Sequence, residues 1–492
     1  MNGTLPNLFD AGDERSPAVV DLSGAVLSYG ALKEQSTRLA LALVAAGVRV
    51  GERVAYQVEK SPSTIIVHLA LLRCGAIQVP INSDYSDQEA RALLDDAEPV
   101  MVIRSIDRGM LPGPWQSLSI ASDGTGSLWG LPWAADTRLP QIAAADGAAL
   151  LYTSGTTGRP KGALLSHANL VANARTLVDV WGFASSDVLL HILPLFHTHG
   201  LFVATHCVLA SGSSMVLLPR FEVDPVLQAL PSCSVMMGVP THYTRLLADE
   251  RFGAVHCEGV RLFISGSAPM TAAVHADFTS RTGAEILERY GMTETSMLAS
   301  NPLEGPRRAG TVGPPLPDVS IRVVDDDDQL LPEGRVGQVE VRGPNVFAGY
   351  WRRPDLQPES FTVDGWFRTG DVGQFDDDGY LELVGRSKDV VITGGLNVYP
   401  KEVELVLDSL PGVRESAVIG LPDDDLGEVV VGVVVGESDA PLDGDELRGV
   451  ARRHLAGYKT PKRIVVVPSL PRNVMGKVQK SLLRDQMIDL GR

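Results

Sequence analysis

Cysteine is scarce. Only Cys74, Cys207, Cys233 and Cys257 occur in 492 residues, and no two of them form a CxxC pair. Free core thiols in a reducing compartment are the reading that follows. Long apolar runs are missing as well. No stretch reaches the ~18–20 residues that span a bilayer, so membrane insertion is not expected. The opening Met1-Asn2-Gly3-Thr4 lacks the basic patch and apolar core of a signal peptide, so a cytoplasmic location is expected. Basic residues do not dominate either. The formal net charge of −17 gives no general reason to bind nucleic acid or an anionic membrane. An anionic ligand would have to be caught by local basic groups working against that field. No repeat of fixed period is present.

What is there is an ordinary globular balance, with 44% hydrophobic and 21% charged residues, which argues against disorder. The length exceeds the roughly 250–300 residues at which single cores stop growing, so more than one domain is expected. The first part alternates helical and strand patterns: helix 29–46, strand 53–58, helix 63–74, strand 78–81. Such alternation predicts an α/β architecture with largely parallel sheets, and two blocks of it fit before residue 385. After Gly385 the pattern changes to a small α+β unit: helix 400–410, strands 415–420 and 428–435, helix 442–455, strand 463–467. A short polar joint, 385–389, connects the two parts and suggests a hinge.

The strongest local signal is Tyr152-Thr153-Ser154-Gly155-Thr156-Thr157-Gly158-Arg159-Pro160-Lys161-Gly162, after the apolar strand 148–151. Glycines let backbone approach phosphate oxygens, and hydroxyls and Lys161 donate charge-assisted hydrogen bonds. The Walker A spacing is absent. A short strand, 163–165, follows, and Ser166 is placed to cap a helix over 168–181. A flexible Gly/Ser/Thr surface loop is the plain alternative.

This loop resembles the phosphate loop of the adenylate-forming superfamily, which includes acyl-CoA synthetases, adenylation domains of peptide synthetases and luciferases. Four further segments continue the resemblance in order: Tyr290-Gly291-Met292-Thr293-Glu294-Thr295, Thr369-Gly370-Asp371, Gly385-Arg386-Ser387-Lys388-Asp389, and Pro471-Arg472-Asn473-Val474-Met475-Gly476-Lys477. The resemblance implies a large N-terminal adenylation domain, 1–386, of two sheets plus a small β-barrel-like subdomain. It implies a small mobile α+β domain, 387–492, hinged at Lys388. It also implies ATP and CoA as co-substrates, Mg2+ as cofactor, and a two-step reaction in which a carboxylic acid becomes an acyl-adenylate and then a thioester.

The same resemblance assigns roles. Lys477 would reach the carboxylate and the α-phosphate, supplying positive charge where negative charge builds up. Its neighbour Lys480 is the ordinary surface lysine for comparison. Glu294, with Thr153, would hold Mg2+; a carboxylate at a helix N-terminus is the alternative for Glu294. Asp371 and Arg386 would hold the ribose, or form a simple salt bridge. The nucleotide would meet Thr153, Ser154, Gly155, Thr156, Thr157, Gly158 and Lys161. It would also meet Ser267, Ala268, Pro269, Glu288, Arg289, Tyr290, Gly291, Met292 and Thr293. Gly394 and Gly395 would flank the pantetheine arm. A basic helix bearing Arg448, Arg452, Arg453 and His454, with Lys459, Lys462 and Arg463, would meet the CoA phosphates or be a solvated face.

The acid pocket would be lined by His197, Thr198, Arg245, Ser265, Ser267 and Met292. His197 would stand between acid and thiol, or be a core histidine. Arg245 is expected to begin a helix flanking the pocket, where an unpaired guanidinium would be costly unless the acid carries a second carboxylate; a surface arginine on that helix is the plain alternative. Segments 197–201, 238–245 and 286–295 resemble the malonyl-CoA synthetase branch, which implies malonate and methylmalonate as acids. A medium- or long-chain or aromatic acid ligase remains open, as does a free-standing enzyme that loads a carrier protein. A nucleotide-binding protein without catalysis is disfavoured because Lys161, Glu294, Asp371 and Lys477 are all present. Lys477 would also be a target for a lysine acetyltransferase.

Overall fold

The computed structural model describes residues 3–10, 12–153, 161–423, 425–437, 442–473 and 476–489. Ser154, Gly155, Thr156, Thr157 and Gly158 of the phosphate loop lie outside the described residues, as do Val474 and Met475 of the lysine loop.

Every residue of helix Pro62–Cys74 from Ser63 onward is buried. A helix apolar all round can only sit inside a layered fold, and each buried Leu or Ile contributes about 1.5–3 kcal/mol. Two sheets form the layers. The first runs Gln116–Ile120, Met101–Ser105, Arg53–Gln57, Ile77–Pro80, Gly147–Thr153, Lys161–Ser166, parallel except for the last strand. The second runs Ser296–Ser300, Ile286–Met292, Leu262–Ser265, Val235–Gly238, Val188–His191, Ser214–Leu217, Pro17–Asp21, Val26–Ser28. Its centre is parallel and antiparallel hairpins finish both edges. The strand Pro17–Asp21 therefore leaves the first block of the sequence to join the second sheet. Ser166 caps helix His167–Val180 in a reciprocal box with Asn169.

The segment expected to be barrel-like forms a four-stranded antiparallel sheet, Ser320–Val324, Gly337–Arg342, Phe367–Phe375, Leu381–Arg386, with no hydrogen-bonded closure between its edge strands among the described residues. Beyond the turn Ser387–Asp389 comes a five-stranded sheet with helices Pro400–Asp408, Gly444–Ala451 and Lys480–Asp489. Strand Val413–Asp423 points Val418 into one apolar core and Ala417 and Ile419 into another. Cover on both faces explains the valine-rich run 429–435, interrupted by Gly432, on its partner strand. The helix expected over 442–455 is shorter than predicted. It ends at Ala451, so Arg452, Arg453 and His454 lie in the turn after it. All four cysteines are buried and free. Among the described residues no helix is long and apolar enough to cross a membrane.

Where the two large sheets meet, His68 and His206 touch through their Nε2 atoms at 3.1 Å. His68 Nδ1 lies 2.8 Å from Gln78 Oε1, an acceptor, so it carries the proton, and His206 donates to His68. Burial pushes His68 down to about 4 and His206 well below its usual value. Histidines depressed in the folded state contribute stability that is complete above the unfolded value near 6.5 and is lost as pH falls. Thermal melts should therefore fall in midpoint between pH 6.5 and about 4, and a His68→Leu/His206→Leu variant should show a shallower slope. An unchanged slope would assign the acid sensitivity to other buried histidines.

Candidate active site

The carboxyl ends of parallel strands gather loop backbone and are the usual place for ligands in α/β folds. In the second sheet, strands Val188–His191, Val235–Gly238 and Leu262–Ser265 end side by side, next to Ile286–Met292. Arg289 lies on the last of these. It is 4% exposed, its Nε and Nη2 have no partner among the described residues, and burial lowers it to about 9, which leaves it cationic at neutral pH. The guanidinium rests on Gly266, where an added Cβ would stand 2.5 Å from Cζ. Glycine there is what lets the arginine in.

Other partnerless atoms surround it. His197 Nδ1, Thr198 Oγ1, His199 Nε2 and Ser265 Oγ are all buried without a hydrogen-bond partner among the described residues. His199 Nδ1 lies 3.4 Å from Ser267 Oγ, and Ser267 holds φ at 71°, a strained value for a non-glycine residue. His197 is pushed down to about 4 by burial, then by Arg289 and Lys477; it is neutral at pH 7. Native structures rarely leave buried polar atoms unpaired, so a cluster of them around one cation describes a place for an anion.

Helix Pro240–Leu247 forms another wall. Its second residue, Thr241, faces the lysine loop. His242 stacks on Phe221 with ring centroids 4.4 Å apart. Arg245 does not begin this helix as expected but lies in its last turn, exposed and without an ion pair among the described residues. Proline at the first helical position moves the helix start five residues upstream of Arg245.

A second group sits beside the first. Tyr290, alternating with Arg289 along the strand, donates its hydroxyl to Asp371. Arg386 Nε lies 2.6 Å from Asp371 Oδ1, and the two residues pair across neighbouring strands. Thr369 Oγ1 accepts from the Asp371 N–H and donates to Val339 O. Glu294 does not stand at a helix start. It lies in the turn between strands Ile286–Met292 and Ser296–Ser300. Burial raises its carboxyl, and its Oε1 accepts from Tyr350 at 2.8 Å. Lys161 Nζ is 5.7 Å from the Tyr350 ring centroid. Thr153 makes a long contact, 3.4 Å, to Lys161 O. Gly291, Met292, Thr293 and Ala268 are half-buried and Pro269 is exposed along this edge.

Lys477 stands in the cleft between the two parts of the chain. It keeps solvent contact, yet enclosure by protein lowers it, then Arg386. Lys480 instead pairs with Glu404 at 2.6 Å. Glu288 is not brought to this group: its carboxylate is 3.4 Å from His275 Nε2 and accepts from Gly310 N–H, on the opposite side of the strand from Arg289. Gly394 and Gly395 make a two-residue hairpin turn, with φ of 57° and 78°. Arg463 is exposed at a strand start, and Lys459 is already paired with Glu402. Tyr350 carries no local signal as a site residue, because its contact to Glu294 spans 56 positions; His199 falls within the expected segment 197–201, but its partner Ser267 lies 68 positions away.

The family model for AMP-binding enzymes matches residues 10–351, and the model for the C-terminal domain of AMP-binding enzymes matches 402–477. The chain belongs to the AMP-binding enzyme family. It is an acyl-adenylate-forming ligase with a large N-terminal and a small C-terminal domain. It is 40% identical to a malonate–CoA ligase of Arabidopsis thaliana, over 70% of this chain and 61% of that protein. It is 35% identical to an indoleacetate–CoA ligase of Aromatoleum aromaticum, over 96% of each. Among solved structures it is 45% identical to ATP-bound MatB of Rhodopseudomonas palustris, with a TM-score of 0.95 over 100% of both chains. Against the apo form of that same relative the TM-score is 0.85. This AMP-binding enzyme is thus more similar to the nucleotide-bound form.

Asp371→Asn removes the charge that Arg386 faces and weakens the Tyr290 bond. Nucleotide affinity measured by titration calorimetry should fall by about 10-fold or more, and unfolding stability by about 1–3 kcal/mol. Unchanged ATP binding would remove Asp371 from the nucleotide site.

Proposed function

We propose that this enzyme joins malonate, and methylmalonate, to CoA with ATP, releasing AMP and pyrophosphate. The observation that carries the reading is Arg289, a buried cation with no carboxylate partner among the described residues. The acid's reacting carboxylate becomes a neutral acyl group during the reaction, so it cannot balance a permanent charge in the pocket. A second carboxylate can. Leaving a guanidinium buried and unpaired costs several kcal/mol, and a bidentate carboxylate removes that cost. Arg245, on the outer part of helix Pro240–Leu247, adds positive charge at the rim. The similarity to a malonate–CoA ligase supports the same reading. The similarity to an indoleacetate–CoA ligase keeps an aromatic acid as the alternative.

In the first step a carboxylate oxygen of the acid bonds to the α-phosphorus of ATP, the bond to the bridging oxygen breaks, and pyrophosphate leaves. Lys477 supplies positive charge between the two anionic reactants. Asp371 accepts from the ribose hydroxyls, aligned by Tyr290 and Arg386, and Ser267 to Pro269 contact the base. Lys161 and the hydroxyl-rich segment 153–158 receive the phosphates. Glu294 is a buried carboxylate with no ion-pair partner among the described residues, which fits a cation, and Thr153 would be its neighbour. Among the described residues no group of three or more His, Cys, Asp or Glu could hold a metal alone, so phosphates would complete the shell. Mg2+ there would neutralise phosphate charge.

In the second step the CoA thiol gives up its proton to solvent, its sulfur bonds to the acyl carbon, the bond from that carbon to the phosphate oxygen breaks and AMP leaves. The boundary at 386/387, with Lys388 as pivot, would let the small domain turn and bring Gly394 and Gly395 to the pantetheine arm. His197, neutral between Arg289 and Lys477, adds bulk and no charge at that junction. Acetylation of Lys477 by a lysine acetyltransferase would remove the charge the first step needs. Full adenylation activity in a stoichiometrically acetylated sample would refute that role.

AMP release should be measured with malonate, methylmalonate, succinate, acetate, octanoate, benzoate and indoleacetate. The two malonates should be preferred. Arg289→Met should lower kcat/KM for malonate by about 100-fold or more, the scale of a lost buried charge pair, while Arg245→Ala should cost less. A preference for octanoate or an aromatic acid would overturn the substrate but leave the ligase chemistry standing.

A further inference from the structure

The described residues of the lysine loop are tied to one another by backbone and side-chain hydrogen bonds. Asn473 N–H donates to Lys477 O at 2.9 Å, Gly476 N–H donates to Asn473 O at 2.8 Å, and Lys477 N–H donates to Asn473 Oδ1 at 3.0 Å. Gln479 N–H closes the turn on Pro471 O at 2.8 Å. Arg472 ties the loop to its own domain by bonding Glu415 and the Gly476 carbonyl. These bonds fix Lys477 relative to the small domain. They do not fix it relative to the acid.

One contact does. Gly476 has φ of 73°, and a Cβ added to it would stand 2.7 Å from Thr241 Oγ1 and 2.9 Å from Thr241 Cγ2. The loop backbone, one residue before Lys477, therefore rests on the side chain of Thr241. Thr241 opens helix Pro240–Leu247, directly after a strand of the second sheet. That helix also carries His242 and Arg245.

We propose that Thr241 is a positioning residue for Lys477: the Thr241–Gly476 contact sets how far the lysine enters the cleft, so the adenylate-forming step depends on it and the thioester-forming step does not. The inference rests on the reading above, in which Lys477 supplies its charge to the first step. Both residues must stay small. A bulkier side chain on either holds the loop off the helix, and a displacement of about 1 Å is enough to cost on the order of 100-fold in a step that depends on alignment. Glycine at 476 meets two demands at once, the left-handed backbone and the close approach.

The test uses the full chain and times the two half-reactions separately. The first is malonate-dependent exchange of labelled pyrophosphate into ATP. The second is conversion of separately prepared malonyl-adenylate and CoA to the thioester. Gly476→Ala and Thr241→Leu should each lower exchange by about 30-fold or more and leave thioester formation within about threefold. Retained thioester formation also shows that each variant is folded. The pair Gly476→Ala/Thr241→Gly should recover about tenfold of the lost exchange, because the added methyl then has room. Equal losses in both half-reactions, unchanged exchange in Thr241→Leu, or no recovery in the pair would each overturn the proposal. Absence of malonate-dependent exchange in the unaltered enzyme would instead overturn the malonate reading proposed above.

Discussion

Asp371 is the carboxylate on which three parts of the chain converge. Tyr290 reaches it from the second parallel sheet, Arg386 from the strand that leads into the inter-domain joint, and Thr369 fixes its backbone from its own strand. A carboxylate buried to 5% exposure is stable as an anion only with such partners. The four-stranded sheet is thereby locked against the large sheet at the point where the chain departs for the small domain. The turn Ser387–Asp389 therefore starts from a fixed base.

The chain as a whole is strongly acidic, yet its cleft is not. Arg289, Lys161, Arg386, Lys388 and Lys477 face only a few carboxylates there, and the histidines nearby are held neutral by burial. Neutral imidazoles fill space without competing for the charge of an incoming anion. Fixed cations partly enclosed by protein attract an anion more strongly than the same charges in water. Two of the six non-glycine residues with positive φ among the described residues, Ser267 and Ser296, lie in the same region.

Much of the framework was legible before any coordinates. Helix Tyr29–Ala45, the strand Arg53–Gln57 and the capped helix His167–Val180 follow from apolar spacing and a cap residue, which are local signals. The valine run of strand Gly427–Gly436 is equally plain. Arg245 was misplaced within its helix because Pro240, not the arginine, decides where the helix starts. The run of basic residues after Gly444 has the spacing of one helix, although only Arg448 lies on it. Helix ends depend on caps and tertiary packing more than on the run of side chains.

The sequence by itself determined the chemistry of the chain: phosphate-loop composition, the order of its motifs and the charged residues in them are properties of short segments. Tertiary structure alone decided which charge faces which. Arg289 and Glu288 are neighbours in sequence, but strand alternation sends one to the pocket and the other to His275. Tyr350 meets Glu294, and Gly476 meets Thr241, across separations no local pattern encodes. Burial and pairing arise from the packed whole, and they decide whether a charged residue supports the fold or waits for a substrate.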